Sequence, residues 1–445
     1  MAIEKQKTAV LYPSLGVGHL NPMIELAKVL LRRGVAVVIA IVGSPDAIGR
    51  LAAASPGITF RHLPVPPTGS DHYSHPIMRT IDVLRAANPA LRGFLHALPG
   101  VDALVVDMFC TDALDVAAEL GVPAYFFFTS ALADLAVMLH LPYNFPAAPL
   151  KDMPETALRF PGVPAIRAMD MATTVQDGGS DIATARLRQC ARMPEARGFL
   201  VNSFDWLEAR ALEALRRGLC TPDRPTPPVY CIGPLVLPAN TGGGGSERHA
   251  CLAWLDMQPD RACFGSMGTF PAAQLREMAR GLENSRHRFL WVVRNPPEHP
   301  CESLEPDMEA LLPGGFLDRT RERGMVVMNW APQMEVLQHD AVGAFVTHCG
   351  WNSALEGIVS GVPMVCWPLY SEQRMNKVHM VEEMKVGVVV EGYEKELEAK
   401  VRLVMESEEG KKLRERLVMA REMADDALKD GGSSDVALDE FLNGL

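Results

Sequence analysis

One stretch, residues 330–373, gathers side chains that could hold a phosphorylated, hydroxyl-rich ligand: W-A-P-Q-M-E-V-L-Q-H-D, then F-V-T-H-C-G-W-N-S-A-L-E-G, then W-P-L-Y-S-E-Q. Trp330 offers a flat face for a base, an interaction worth roughly 1–3 kcal/mol and tolerant of base identity. His348 precedes a helix that Asn352 or Ser353 can cap. A helix start presents N–H donors and the positive end of its dipole to an anion, and a diphosphate suits it. Glu356 falls one helical turn beyond Asn352 and Ser353, where a carboxylate can accept from both hydroxyls of a ribose. Glu372 and Gln373 close the stretch with groups suited to sugar hydroxyls. These types in this order describe a nucleotide-sugar site.

The elements that must position them can be read from the apolar runs. Residues 324–329 (GMVVMN), 343–347 (GAFVT) and 362–367 (VPMVCW) are of buried parallel-strand type, and each ends where the ligand-binding side chains begin. Open α/β sheets bind ligands at that edge. Helical patterns at 271–282, 332–338 and 352–360 alternate with them.

The amino-terminal part repeats the plan. Residues 8–12 are a strand, 13–20 a glycine-containing loop, Asn21–Pro22 a helix start with Pro at its first position, 23–33 an amphipathic run closed by Gly34, and 35–42 the next strand. A second unit runs from a strand at 101–106 ending at Asp107, through a helix at 112–120 ending at Gly121, to a strand at 123–128 ending at Thr129. His19 and Asp107 thus share the ligand edge. A His in a Gly-rich loop before such a helix is a candidate base, whereas Asp107 alone fits a cap or loop carboxylate equally well. Gly16 and Gly18 give the backbone room to turn, but no third Gly follows at the dinucleotide spacing and no acidic residue falls about twenty further on.

Residues 330–373 resemble the signature box of the plant secondary-product family of UDP-dependent glycosyltransferases, which begins with Trp and ends with Gln. Trp367, Pro368, the run 374–376 and Gly233–Pro234 extend the likeness over nearly the whole chain. The resemblance implies a GT-B fold, an α/β architecture of two Rossmann-like domains whose parallel sheets face a cleft. It implies that Trp330 stacks on uracil with Ala331 and Gln333 near the uridine, that Ser266 approaches the nucleotide, and that His348, Asn352 and Ser353 hold the diphosphate. Glu356 would hold the ribose, and Thr129, Trp351, Glu372 and Gln373 the sugar. Glu372 stands where many members have Asp, one methylene longer with the same acceptors. His19 would take the acceptor's proton and Asp107 would orient it, the base-plus-orienter logic of a catalytic triad.

The implied reaction is inverting transfer of glucose from UDP-glucose to a hydroxyl of a small lipophilic acceptor, a flavonoid or related phenol, giving a β-glucoside. No cofactor or metal is expected: the chain has no Asp-x-Asp pair, and His348 with the helix start can neutralise the leaving diphosphate. Met23, Phe126 and Met138 are candidates for a flat hydrophobic pocket, though core packing explains them equally well. Two alternatives stand beside this: a nicotinamide-dependent oxidoreductase, disfavoured by the missing Gly fingerprint, and a catalytically impaired UDP-sugar-binding relative. The second draws on a departure from the family pattern. About four residues are missing between Pro259 and Phe264, where a strand of typical length would need about 5–6, which predicts a truncated first strand in the second domain. The junction at 394–398 between two helical segments also reads as short.

Composition agrees with a globular enzyme of two domains. At 445 residues the chain exceeds one ordinary core, with 48% hydrophobic and 22% charged residues. A net charge of −11 and a pI near 5.6 argue against nucleic acid and anionic membranes as partners. Nine cysteines without a C-x-x-C pair suggest free thiols in a reducing compartment. No secretory signal or glycosylation sequon is visible, and residues 122–141 read as strand plus buried helix rather than a membrane span. The expectation is a cytoplasmic monomer. Its domains would be an acceptor-binding domain at 1–238, a Gly-rich linker at 239–249, a UDP-sugar-binding domain at 250–429, and a helix at 430–445 packing back on the first domain. Residues 295–313, rich in Pro and acid, are expected to be a solvated insertion.

Overall fold

The computed structural model describes residues 6–43, 49, 51–53, 55–66, 73, 75–236, 248–259, 261–266, 268–296, 305–391 and 394–445. The chain divides into two compact units, residues 1–237 with 426–445, and residues 238–425. The Gly-rich stretch at 240–246 lies outside the described residues, as does much of the 295–313 insertion.

The first unit is built on a parallel sheet. Its elements are β1 (Thr8–Tyr12), α1 (Val17–Arg32), β2 (Ala36–Ile41), β3 (Thr59–His62), α2 (Pro76–Ala97), β4 (Ala103–Asp107), α3 (Ala113–Leu120), β5 (Ala124–Phe128) and α4 (Leu132–His140). A short antiparallel ladder, β6 (Ala157–Leu158) with β7 (Ile166–Arg167), precedes α5 (Asp181–Arg192), β8 (Gly198–Val201), α6 (Ala209–Arg216) and β9 (Val229–Cys231). The sheet order is β3-β2-β1-β4-β5-β8-β9. Strands such as AYFFF and ALVVD are buried along their whole length, as parallel strands covered on both faces must be. Gly121, at φ 67°, ends α3 in the left-handed conformation that lets the chain turn into β5.

Helix α1 begins at Val17, a turn earlier than Asn21–Pro22 predicts, so Pro22 lies inside the helix and His19 belongs to its first turn. Gly16, at φ 97°, supplies the backbone angle for that early entry, which an L side chain rarely adopts. Helix α4 is capped from a distance: both oxygens of buried Glu208 accept the first-turn N–H groups of Leu132 and Ala133 at 2.9 Å. Its Oε2 also accepts from Ser203. Glu208→Gln keeps one acceptor and turns an amide N–H₂ toward a donor; we expect a loss of about 1–2 kcal/mol in denaturant unfolding.

The second unit carries α7 (Ala250–Asp256), β10 (Ala262–Ser266), α8 (Ala272–Ser285), β11 (Arg288–Val293), α9 (Met308–Leu311), α10 (Phe316–Thr320), β12 (Gly324–Met328), α11 (Gln333–Leu337) and β13 (Val342–Thr347). It continues through α12 (Trp351–Val359), β14 (Met364–Cys366), α13 (Gln373–Val378), β15 (Gly387–Val389), α14 (Glu394–Glu406) and most of α15 (Glu408–Leu428). Its parallel sheet has the order β12-β11-β10-β13-β14-β15. The predicted truncation of its first strand is not found. β10 keeps five residues, pairs with β11 over all of them and lies against β13 on its other side. The stretch at 394–398 is likewise no junction between helices: α14 starts at Glu394, while Tyr393 lies outside the described residues.

The final helix, α16 (Ser433–Asn443), belongs to the first unit. Phe441 is fully buried there, edge-on to Tyr125 and Tyr230 with ring centroids at 4.9 and 5.9 Å. Arg33 pairs with Asp435 and Asp439 on the same helix. Among the described residues no helix is long and apolar enough to cross a membrane, and the eight described cysteines are free and buried.

Candidate active site

In each sheet the chain runs outward from one strand and then resumes on that strand's other side. β1 and β4 are neighbours at this reversal in the first unit, β10 and β13 in the second. A crevice opens outside the carboxyl ends of such a strand pair. His19 follows β1 and Asp107 ends β4; Ser266 ends β10, and His348 follows β13.

In the first unit His19 Nδ1 lies 2.8 Å from Asp107 Oδ2, and Thr129 Oγ1 is 3.3 Å from the same nitrogen. Asp107 is fully buried, and its Oδ1 accepts the Phe109 N–H at 3.1 Å. A carboxylate can only accept, so the proton of the neutral ring sits on Nδ1 and the lone pair on Nε2. One quarter of the His19 side chain remains exposed. Phe109 packs edge-on against the imidazole at 5.4 Å. Met23 and Phe126, two of the pocket candidates, are core residues instead: both are fully buried, and Phe126 stacks on Phe199.

In the second unit Trp330 is 61% exposed and held edge-on by His249 at 5.8 Å. Ala331 is buried beside it. Gln333 opens α11, and its Nε2 donates to Ser353 Oγ at 3.0 Å and to Glu356 Oε2 at 2.5 Å. Three of the predicted site residues are thereby joined. Burial raises Glu356 to about 7, an effect the Gln333 donor only partly offsets.

Helix α12 starts one residue earlier than expected. Gly350 is its N-cap, so Asn352 and Ser353 sit in the first turn rather than capping it, and no side chain among the described residues caps it. A Cβ on Gly350 would come within 2.4 Å of His348 Nε2, so this glycine is what lets the ring lie across the helix start. Burial, reinforced by the Arg294 guanidinium, lowers His348 to about 4. It is therefore neutral in the unliganded protein at neutral pH and offers a hydrogen bond, not the full charge expected of it against a diphosphate. Its Nδ1 has no hydrogen-bond partner among the described residues.

Trp351 as a whole residue is only 2% exposed, so little of it is open to a ligand. Gln373 is buried and its Oε1 accepts from the Leu369 and Tyr370 N–H groups at 2.9 and 3.0 Å, which leaves only its amide N–H₂ for a sugar. Glu372 is half-buried at the N-cap of α13. The side chain of Ser266 lies outside what is described.

Five described non-glycine residues have positive φ, and three of them, Asn329, Cys349 and Ser371, lie in the connections after β12, β13 and β14, just before Trp330, Gly350 and Glu372. Such strain collects where a site dictates the backbone. Sequence reasoning missed Asn376, fully buried, whose Nδ2 holds the Cys349 carbonyl at 3.0 Å. It also missed Arg294 beside His348, and Arg186 and Gln189, which bear on Phe109. The last two were legible as polar residues on the buried face of α5, spaced with Ile182, Ala183 and Cys190.

Residues 261–417 match the family model described as UDP-glucoronosyl and UDP-glucosyl transferase. An anthocyanidin 5,3-O-glucosyltransferase of a Rosa hybrid cultivar is 41% identical over 461 residues, spanning 96% of this chain and 97% of that protein. The chain belongs to the UDP-dependent glycosyltransferase family. A phloretin 2'-O-glucosyltransferase of Pyrus communis is 40% identical over 478 residues, with 98% and 99% covered. Among solved structures, Phytolacca americana UGT2 complexed with UDP-2fluoro-glucose and pterostilbene matches at a TM-score of 0.87 and 34% identity, covering 98% of this chain and 99% of that one. A UDP-glucosyltransferase from Polygonum tinctorium capable of glucosylating indoxyl matches at 0.89 and 35%, covering 98% of each chain. The two units of this glycosyltransferase are the two Rossmann-like domains of a GT-B fold.

Proposed function

We propose that this glycosyltransferase moves glucose from UDP-glucose to a hydroxyl of a flavonoid or another small phenol, inverting the anomeric configuration to give a β-glucoside. The observation that carries the reading is the 2.8 Å contact of His19 Nδ1 with buried Asp107, which leaves Nε2 as a base. The acceptor oxygen loses its proton to Nε2 and attacks the anomeric carbon from the face opposite UDP. Asp107 orients the ring and stabilises the imidazolium that forms.

On the donor side, Trp330 stacks on uracil beside Ala331 and Gln333, Glu356 takes the ribose hydroxyls, and Ser266 approaches the nucleotide. His348, Asn352, Ser353 and the uncapped first turn of α12 receive the diphosphate, whose leaving charge needs no metal or cofactor in this scheme. Thr129, Trp351, Glu372 and the Gln373 amide meet the sugar. Relatives named for anthocyanidin and phloretin support a phenolic acceptor. The ordinary length of β10 removes the observation that had favoured an impaired, non-catalytic relative. Buried free thiols support a reducing compartment such as the cytoplasm, the plant relatives support a role in plant secondary metabolism, and a monomer is the proposed state.

The test is UDP release from UDP-glucose across phenolic, terpenoid and hormone-like acceptors; UDP binding without release on any of them overturns the reading. UDP-glucose should be preferred to UDP-galactose in kcat/KM. Gln373 can only donate, so a misplaced epimeric hydroxyl costs about 1–2 kcal/mol, roughly 5- to 30-fold. Equal kcat/KM for the two donors would remove Gln373 from the sugar site.

A further inference from the structure

The structure assigns Arg186 and Gln189 to the reaction as positioning residues that hold the 107–109 turn and, through it, the base; this rests on the reading of His19 as that base. Both side chains project from the buried face of α5, and each residue is only 7% exposed. Gln189 Nε2 donates to the Phe109 carbonyl at 3.2 Å, and Gln189 Oε1 accepts from Arg186 Nη1 at 2.5 Å. The Arg186 guanidinium lies over the Phe109 ring, 4.7 Å from its centroid. Phe109 is thus gripped by its main chain and by its ring from a single helix. It bears on the dyad in the same two ways, its N–H donating to Asp107 Oδ1 at 3.1 Å and its ring edge meeting the His19 imidazole at 5.4 Å. The contacts close a circuit from His19 through Asp107, Phe109, Gln189 and Arg186 back to the Phe109 ring.

Packing alone does not ask for these residue types. An apolar side chain fills a buried helix position without the cost of desolvating a guanidinium and an amide. Gln189 can serve both neighbours in one orientation only, carbonyl toward Arg186 and N–H₂ toward Phe109, so the pair fixes a direction as well as a volume. The last turn of α5, which carries Gln189, is also tied to the start of α3, since Arg192 pairs with Asp112 at 3.4 Å and with Asp115 at 2.6 Å. Helix α5 is therefore tied both to the 107–109 turn, through Gln189 and Arg186, and to the start of α3, through Arg192.

If these residues set the aim of the base, their loss must hurt most where the base matters most. The readout is kcat on two acceptors, a phenol of high pKa and an acidic phenol largely ionised at the assay pH, with UDP affinity and thermal midpoint measured alongside. Gln189→Leu and Arg186→Met should each lose about tenfold or more on the weak phenol, as misplacement of a catalytic group by an ångström can cost up to about a hundredfold, and less than about twofold on the acidic one. Arg186→Lys, which keeps the charge without the planar fork, should fall between. Should Gln189→Leu not fold, Gln189→Asn withdraws the amide by one methylene and is read by the same ratio. Equal losses on both phenols mean a packing or pocket role and overturn the inference, as does no loss on either. His19→Ala in the same assay separates the two layers: if it fails to distinguish the phenols, the base assignment falls; if it distinguishes them and the α5 variants do not, only this inference falls.

Discussion

His19→Ala should lower kcat on a phenol of high pKa by about 10²–10⁴-fold, the usual contribution of a general base, with UDP affinity nearly unchanged. The size follows from geometry. His19 Nδ1 is engaged by a fully buried carboxylate at 2.8 Å, so Nε2 is presented as the acceptor in a fixed direction. A neutral imidazole, with an ordinary pKa of about 6.5, can take a proton at neutral pH. Donor contacts should survive, because Trp330, Gln333, His348, Ser353 and Glu356 all belong to the other unit. Asp107→Asn should lose less, in the same direction. An amide can still meet Nδ1, but it no longer selects the tautomer or faces the imidazolium with a charge. Kinetics on the weak phenol, with melting behaviour as the control, decide it: near-parental kcat in both variants would place the base elsewhere.

The sequence made the strands and their order of use legible because parallel strands buried on both faces are written as unbroken apolar runs, AVVIAI and AYFFF among them. What it could not show was which residue begins a helix. Pro22 marks a preferred helix start, yet Gly16 can adopt φ 97° and lets α1 begin a turn sooner, which puts His19 on the helix rather than in the loop. Asn352 and Ser353 are good capping types, yet the His348 ring needs the space over residue 350, and only glycine provides it. The contacts between distant segments were likewise hidden. Gln333 reaches Glu356 across twenty-three residues and Gln189 reaches Phe109 across eighty, and no local pattern encodes either. The polar residues on the inner face of α5 were the visible trace of the second contact.

Glu356→Gln should weaken UDP binding by about 10- to 100-fold at about pH 8, the loss of one hydrogen bond to an ionised acceptor, worth about 1.5–3 kcal/mol. The same change should make the unliganded protein more stable at that pH. Burial raises Glu356 from 4.5 to about 7 in the folded protein. Between those values the folded state holds a proton that the unfolded chain has released, so stability is fully present below about 4.5 and falls as pH rises through about 7. Above that the buried charge costs on the order of 1–3 kcal/mol. Glutamine carries no such cost, so the variant's unfolding free energy should match the parent's near pH 4.5 and exceed it at about pH 8. Binding runs the other way. Ribose hydroxyls favour the carboxylate, so parental UDP affinity should drop between about pH 8 and pH 6 more steeply than that of the variant; the difference is what counts, since a terminal phosphate itself titrates near pH 6. Calorimetry and denaturant unfolding at the two pH values test both halves. Parallel stability profiles together with unchanged UDP affinity would leave Glu356 as an ordinary residue of α12, held by Gln333 for structural reasons alone.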